Sequence, residues 1–171
     1  ALRNFKDAFV VMSKSLGLID RIENIDIKRA AYLRLASLYS AMGIKEEVGS
    51  YAAKAESLAS ADDVKDICTA KLYLSVYQLE LEAFTKAFDE FQYTHDFFES
   101  NGFPLISFIA LKGMGESKLR LQEYSAAVAL LLKALKGYES FNFQLEINSV
   151  HSLLTEAYFA LKQSAEVVEH A

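Results

Sequence analysis

The sequence predicts an all-α chain built as a stack of helix-turn-helix repeats, and three observations carry that expectation. A pattern of small and apolar residues returns about every 40 residues along the whole chain. Within each period the patterned positions are three and four apart, which puts their side chains on one helical face. Only one proline and seven glycines interrupt 171 residues, too few breaks for many short strands.

The repeat is clearest at one short or small apolar position: Ala8 in FKDAFVVMSKS, Val48 in KEEVGSYAAKA, Ala87 in FTKAFDEFQYT, Ala127 in YSAAVALLLKA and Val167 in SAEVVEHA. These are separated by 40, 39, 40 and 40 residues. Three residues earlier stand Phe5, Lys45, Phe84, Tyr124 and Ser164. Four and seven residues later stand Met12 and Ser15, Ala52 and Ala55, Phe91 and Thr94, and Leu131 and Ala134. A second helix precedes each of the last four columns. Twelve residues before the column stand Ala36, Ser75, Gly115 and Thr155, all small or short, and beside them Leu35, Leu74, Met114 and Leu154. Nine before it come Tyr39, Gln78, Lys118 and Tyr158. The small position lets two helix backbones approach closely, and its apolar neighbour fills the seam.

In chain order, the pattern predicts helices at about 2–16, 26–43, 45–60, 63–82, 84–101, 104–122, 124–140, 143–162 and 164–171. Gly43 ends the first helix of its pair, as a left-handed cap does. SADD at 60–63, NGFP at 101–104 and ESFN at 139–142 separate one pair from the next, with Asp26, Asp62 and Asn142 near helix starts. The expected core is Leu35, Ala36, Tyr39, Leu74, Phe84, Ala87, Phe91, Met114, Gly115, Tyr124, Ala127, Leu131, Ala134, Leu154 and Tyr158.

Composition narrows function. Hydrophobic residues make up 52% and charged residues 24%, too apolar for a disordered chain. No run of eighteen apolar residues and no basic-then-apolar leader is present, so no membrane association is expected. Lys and Arg are scattered in a chain of net charge -5, which gives nucleic acid no basic footprint. The single Cys68 forbids an internal disulfide and a Cys-rich metal site, and an intracellular location, cytoplasmic or nuclear, is expected.

These columns resemble the tetratricopeptide repeat, a helix-turn-helix unit. The match is clearest in YLRLASLYSAMGIKEEVGSYAAKA, through Tyr32, Leu35, Ala36, Tyr39, Gly43, Ala52 and Ala55. It is next best in LKGMGESKLRLQEYSAAVALLLKA, through Gly115, Tyr124, Ala127 and Ala134. The terminal proline of the signature is absent throughout, and the period is longer than the common one. Longer-period repeats of this kind are similar to those of spindle-orientation adaptors, kinesin light chains, proteasome-lid-type helical arms, anaphase-promoting-complex subunits and bacterial signal-peptide sensors. The resemblance implies a right-handed superhelical solenoid of four repeats plus a leading helix. It would be one segment over 1–171, excised from a longer chain, with repeats at about 24–61, 62–101, 103–141 and 142–171.

Residues that carry chemistry elsewhere find little support here. GMGESK at 113–118 looks like a phosphate loop, but GxxxxGK[ST] counted from Gly113 puts Lys118 where glycine is required and Leu119 where lysine is. FIALK before it reads as helix, and phosphate loops follow strands. His95, His151 and His170 have no ligand spacing and read as polar surface positions. Cys68 has no histidine nearby in sequence to activate it and reads as a buried, inert thiol. The acidic pairs Glu46 and Glu47, Asp62 and Asp63, and Asp89 and Glu90 fit helix starts and exposed faces. No catalytic residue, cofactor or metal is expected, and no enzyme activity.

The resemblance implies a ligand-facing surface on the first helix of each pair. Carried over by column, it takes in Leu33, Ser37 and Ser40, then Thr69, Leu72, Val76, Leu79 and Glu80. It continues with Ile109, Lys112, Glu116, Leu119 and Arg120, and ends with Ser152, Glu156 and Phe159. Members that dock chaperone tails use a Lys and Asn clamp, and the corresponding positions here are mainly Ala, Leu, Ser, Thr and Val. A helix or extended segment with apolar anchors is the more natural ligand. Lys112, Glu116 and Arg120 are four apart, so they read either as an ion-pair ladder along one helix or as a peptide-contacting patch. The expected function is a protein-protein interaction scaffold or adaptor, binding a peptide or helix of a partner in a concave groove within a larger complex. The alternative is a regulatory sensor whose groove takes a signalling peptide or effector and changes the pitch of the solenoid. The sequence carries no signal for oligomeric state.

On this reading the chain starts and stops inside helices, without the polar caps a solenoid needs. Phe5 and Phe9 at one end, and Val167 and Val168 at the other, are expected to be covered by further repeats or by a partner. The isolated segment should therefore self-associate in light scattering. A monomeric species that is also fully helical by circular dichroism would contradict this.

Overall fold

The computed structural model describes residues 17–169, with side chains through 162. The end of a helix at 17–19 leads into α1 (Ile25–Ala41), α2 (Lys45–Ser57), α3 (Val64–Glu80), α4 (Phe84–Ser100), α5 (Pro104–Arg120), α6 (Tyr124–Ser140) and α7 (Gln144–Glu169). No strand occurs among the described residues. The expected helix at 2–16, with Phe5, Ala8 and Phe9, lies outside them, as do the side chains of Val167, Val168 and His170.

Contacts divide the chain into two compact units, 1–80 and 81–171. In the first, α1 packs on α2, α2 on α3 and α1 on α3; in the second, α4 packs on α5, α5 on α6, α6 on α7, and α5 also touches α7. The division falls between α3 and α4, so the repeat expected at 62–101 contributes one helix to each unit.

The turns repeat as regularly as the helices. Left-handed residues stand at Gly43, Glu82 and Gln122, each five before a column residue, and at Gly102 and Asn142 between pairs. Four of these turns close with the same backbone bond, from Ile44 to Tyr39, Phe103 to Phe98, Glu123 to Lys118 and Phe143 to Tyr138, at 2.9–3.1 Å. This six-to-one bond satisfies an orphan carbonyl at the helix end and offsets the cost of a left-handed residue. Asn142, expected near a helix start as a cap, supplies the left-handed turn instead. Asp26 lies in the first turn of α1, and Asn24 is its cap, accepting from Ile27 N at 3.0 Å.

The predicted columns become the packing. Val48, Ala87 and Ala127 are fully buried, and so are Ala52, Phe91 and Leu131 four residues on, with Ala55, Thr94 and Ala134 beyond them. Where short hydroxyl residues fall in these seams, Ser75, Thr94 and Ser117 donate to carbonyls of their own helices and leave no orphan group. Gly115 has the role its column assigned, since a Cβ there would lie 2.7 Å from Leu131 Cγ. Gly113, which belongs to no column, is explained by the neighbouring helix: its Cβ would lie 2.6 Å from Phe91 Cε1, 2.5 Å from Cε2 and closer still to Cζ. Gly137 makes room for Phe108 and Gly49 for Tyr77 in the same way. GMGESK is thus interior to α5 and serves close helix crossing.

Four core expectations need correction. Leu74, Phe84 and Tyr124 are only half-buried, and Tyr158 is 49% exposed. Thr155, in the small column, is exposed as well. For Tyr158 and Thr155 the cause is α7, one helix of 26 residues where two were expected. Lys162 stands where Gly43, Glu82 and Gln122 turn the chain, but it continues the helix, with no glycine or proline nearby to stop it. Among the described residues no second helix folds back over Thr155 and Tyr158. Val150, Leu154 and Ala157 carry the buried face of α7.

Gly113→Ala should lower stability by roughly 1–2 kcal/mol in urea denaturation, because displacing the Phe91 ring outweighs the better helix propensity of alanine. Adding Phe91→Leu should make the double variant lose less than the sum of the singles.

Candidate functional site

Two first-helix faces correspond to the expected ligand surface, one in each unit. In the first unit, Leu33, Ser37 and Ser40 lie along α1, and Thr69, Val76 and Glu80 along α3. Leu33 and Val76 are half-buried against the core, together with Tyr73. The Ser37 hydroxyl of α1 acts on the Tyr73 phenol of α3, so the two stripes lie side by side. Burial pushes the Tyr73 phenol above its ordinary range, and Ser37 works against that. Glu80 is paired with Lys45 of α2.

Leu72 and Leu79 do not offer surface. They are 0% and 8% exposed, so they fill the interior of the unit rather than face a ligand. With 3.6 residues per turn, the exposed stripe of α3 runs through Thr69, Tyr73, Val76 and Glu80. The column carried over from the resemblance took Leu72, one residue short of Tyr73. The aromatic residue four after Thr69 was the available signal.

In the second unit, Ile109, Lys112, Glu116 and Arg120 form the stripe of α5. Leu119 is 4% exposed and belongs to the core, packed with Ala127 and Ala157. Lys112 and Arg120 do not neutralise Glu116 along α5. Lys112 Nζ reaches Glu146 Oε2 of α7 at 2.5 Å, and Arg120 pairs with Glu156 of α7. Glu116, half-buried between them, makes no ion pair among the described residues. Ser152, Glu156 and Phe159 are exposed on α7, Phe159 by 64%. The nearby Tyr138 hydroxyl is buried without a hydrogen-bond partner among the described residues, and burial, then Glu146, pushes its pKa far up.

The chemistry-bearing residues are placed elsewhere. His95 is not a simple surface residue: its Nδ1 lies 2.7 Å from Ser107 Oγ and its Nε2 3.5 Å from Glu99 Oε2. These are the residue types of a hydrolytic triad, but Ser107 is only 2% exposed between α4 and α5, where no substrate carbonyl can reach it. Cys68 is fully buried. Among the described residues no cluster of three or more His, Cys, Asp or Glu could hold a metal ion.

One charged group was missed in the sequence. Arg29 of α1 is 6% exposed and contacts Asp66 Oδ2 at 2.7 Å, Asp63 Oδ2 at 2.9 Å, Asp26 Oδ1 at 3.1 Å and the Leu58 carbonyl at 3.4 Å. One guanidinium thereby joins α1, the α2–α3 connection and α3. The hydrogen bond to Asp66 holds its pKa above the usual range. Asp63 is held below the usual carboxylate range, mainly by the Ser60 backbone N–H and hydroxyl and then by Arg29. The spacing of 37 residues between Arg29 and Asp66 gave no local pattern to read.

No protein-family model matches the chain, and no curated protein matches it. Among solved structures it is similar to the apo form of RapI, a helical-repeat protein, with a TM-score of 0.61 and 13% identity over 95% of this chain. The chain spans 66% of the RapI chain's length. At that identity the likeness shows the fold, which is all-α and of the tetratricopeptide-like helical-repeat type.

The depressed Asp63 pKa has a signed consequence. Its contribution is complete above the unfolded value of about 4 and is lost as pH falls through the lower folded value. The stability gap between wild type and Asp63→Asn should therefore be constant from neutral pH to about 5 and close as pH falls below about 4, read from urea midpoints. A gap independent of pH would contradict the assignment.

Proposed function

We propose that the chain is a protein-interaction module, a scaffold or adaptor segment that holds a peptide or helix of a partner protein against its first-helix faces. The observation that carries this reading is the α5–α7 face, where exposed Phe159 stands beside the Arg120–Glu156 pair. An aromatic anchor bordered by paired charges suits a helix or extended segment with apolar side chains. The half-buried Leu33 and Val76 with Tyr73 offer the first unit a comparable apolar stripe. No helix among the described residues is long and apolar enough to cross a membrane. An intracellular setting and further repeats or a partner over the open face of α7 complete the proposal.

A second reading is a regulatory sensor domain, in which a small peptide or effector binds the same faces and shifts an equilibrium between two packings. It draws support from the likeness to RapI, whose structure is described as an apo form, so that protein has a ligand. An adjacent DNA-binding or catalytic domain in the full-length protein would favour the sensor, and further repeats the scaffold.

Affinity capture of the full-length protein with and without this segment, followed by mass spectrometry, should show specific partners lost on deletion; loss of none would sink the reading. For a captured partner, Phe159→Ala should weaken binding by roughly 1–2 kcal/mol, about tenfold, with helicity unchanged. Arg120→Glu should weaken it too. Unchanged affinity in both variants would remove the α5–α7 face from the site.

A further inference from the structure

The first unit carries an aromatic recess away from the faces discussed above. Three tyrosines gather between α1 and α2. Tyr39 stacks on Tyr51 with centroids 5.5 Å apart and an interplanar angle of 6°, and Tyr32 meets Tyr51 at 6.0 Å and 32°. Tyr39 and Tyr51 act on each other's phenols, and the Asp20 carboxylate acts on that of Tyr32. Beside the rings lies a recess of about 290 Å³ lined by Gly17, Ile19, Asp20, Tyr32, Tyr51 and Lys54.

The Lys54 ammonium reports what this recess attracts. Its Nζ sits 4.8 Å from the Tyr51 centroid and 5.8 Å from the Tyr32 centroid, astride both rings. A lysine three residues after a tyrosine in one helix explains the Tyr51 contact. It does not explain Tyr32 on α1, the carboxylate at the rim, or the remaining volume. Beyond burial, which disfavours charge of either sign, the neighbouring carboxylates Asp20 and Glu47 favour positive charge here. Burial and the neighbouring Asp20 raise the Tyr32 phenol, and burial with Tyr39 and Glu47 raises Tyr51. Ring faces and carboxylates together favour a cation and disfavour an anion.

We propose that Tyr32, Tyr51 and Asp20 form a binding site for an alkylated ammonium group, with Lys54 as its built-in competitor. An ammonium carrying methyl groups is the chemistry that fits. It spreads its charge over apolar surface, loses little hydration on entering an aromatic recess, and makes better contact with two ring faces than a hydrated lysine head does. Such a group occurs on small quaternary amines and on methylated lysine side chains of proteins. Lys54 is exposed, so it can swing into solvent as the ligand enters.

The test uses choline, its uncharged isostere dimethylbutanol, and a trimethyllysine peptide beside its unmodified lysine form. Each is titrated into the isotopically labelled chain while the ring resonances of Tyr32 and Tyr51 are followed. Choline or the methylated peptide should shift those resonances saturably and more tightly than its control. Lys54→Met, which removes the competing charge, should tighten binding about threefold, a rough factor for a solvent-exposed cation–aromatic contact. Asp20→Asn should weaken it by a similar factor, and both positions are exposed, so the fold is retained. Response to choline alone assigns a small-molecule ligand, and response to the methylated peptide assigns a modified protein. No saturable shift with either, equal binding of dimethylbutanol, or affinity unchanged in both variants would overturn the proposal.

Discussion

The close approach of helix backbones is the constraint on which the rest of this structure depends. Val48, Ala87 and Ala127 have no exposed surface because a neighbouring helix lies against each of them. Any larger side chain there would force the helices apart and open voids around Phe91 and Leu131. The glycines of the helices extend the same logic to aromatic rings. Phe91 lies over Gly113, Phe108 over Gly137 and Tyr77 over Gly49, each ring filling space that a single methyl group would contest. A motif that resembles a nucleotide loop in one dimension is therefore a packing device in three.

Turn geometry sets the period that this packing needs. Five of the described helices have 17 residues, and the left-handed residue of their turns returns every 20 positions at Glu82, Gly102, Gln122 and Asn142, with Gly43 39 positions before the first of these. Only two of these are glycine, so the backbone bond that closes the turn matters more than the identity of the residue that makes it. Where the turn fails to form, at Lys162, the helix runs on and a face that is buried in the earlier repeats stays open. Tyr158 and Thr155 are exposed for that reason rather than through any property of their own.

Charge works locally within each unit. Arg29 gathers three aspartates from separate positions and is itself buried, so its loss would leave partly shielded carboxylates facing one another. The Lys112–Glu146 and Arg120–Glu156 pairs are more exposed and stabilise the fold little. Their value lies in position: they fix the edges of the surface on which Phe159 is presented.

Much of the fold was legible in the sequence because helix faces are local. Residues three and four apart share a face whatever they pack against, so the columns at Ala52, Phe91, Ala127 and Leu131 could be read before any contact was known. Six of the predicted helices lie within three residues of their observed limits for the same reason. The candidate faces were legible only in part: the stripes of α1 and α5 emerged, whereas Leu72, Leu79 and Leu119 proved to be interior. A carried-over column fixes a residue's place in the repeat, but a rotation of one position about the helix decides whether it meets solvent or core. Tertiary structure alone decided the partners of Lys112, Arg120 and Arg29, the role of Gly113, and the company of Tyr32, Tyr51 and Asp20. Apart from Asp26, three residues before Arg29, these join residues that lie far apart in the chain, and their distances are set by how helices cross rather than by spacing along any one of them.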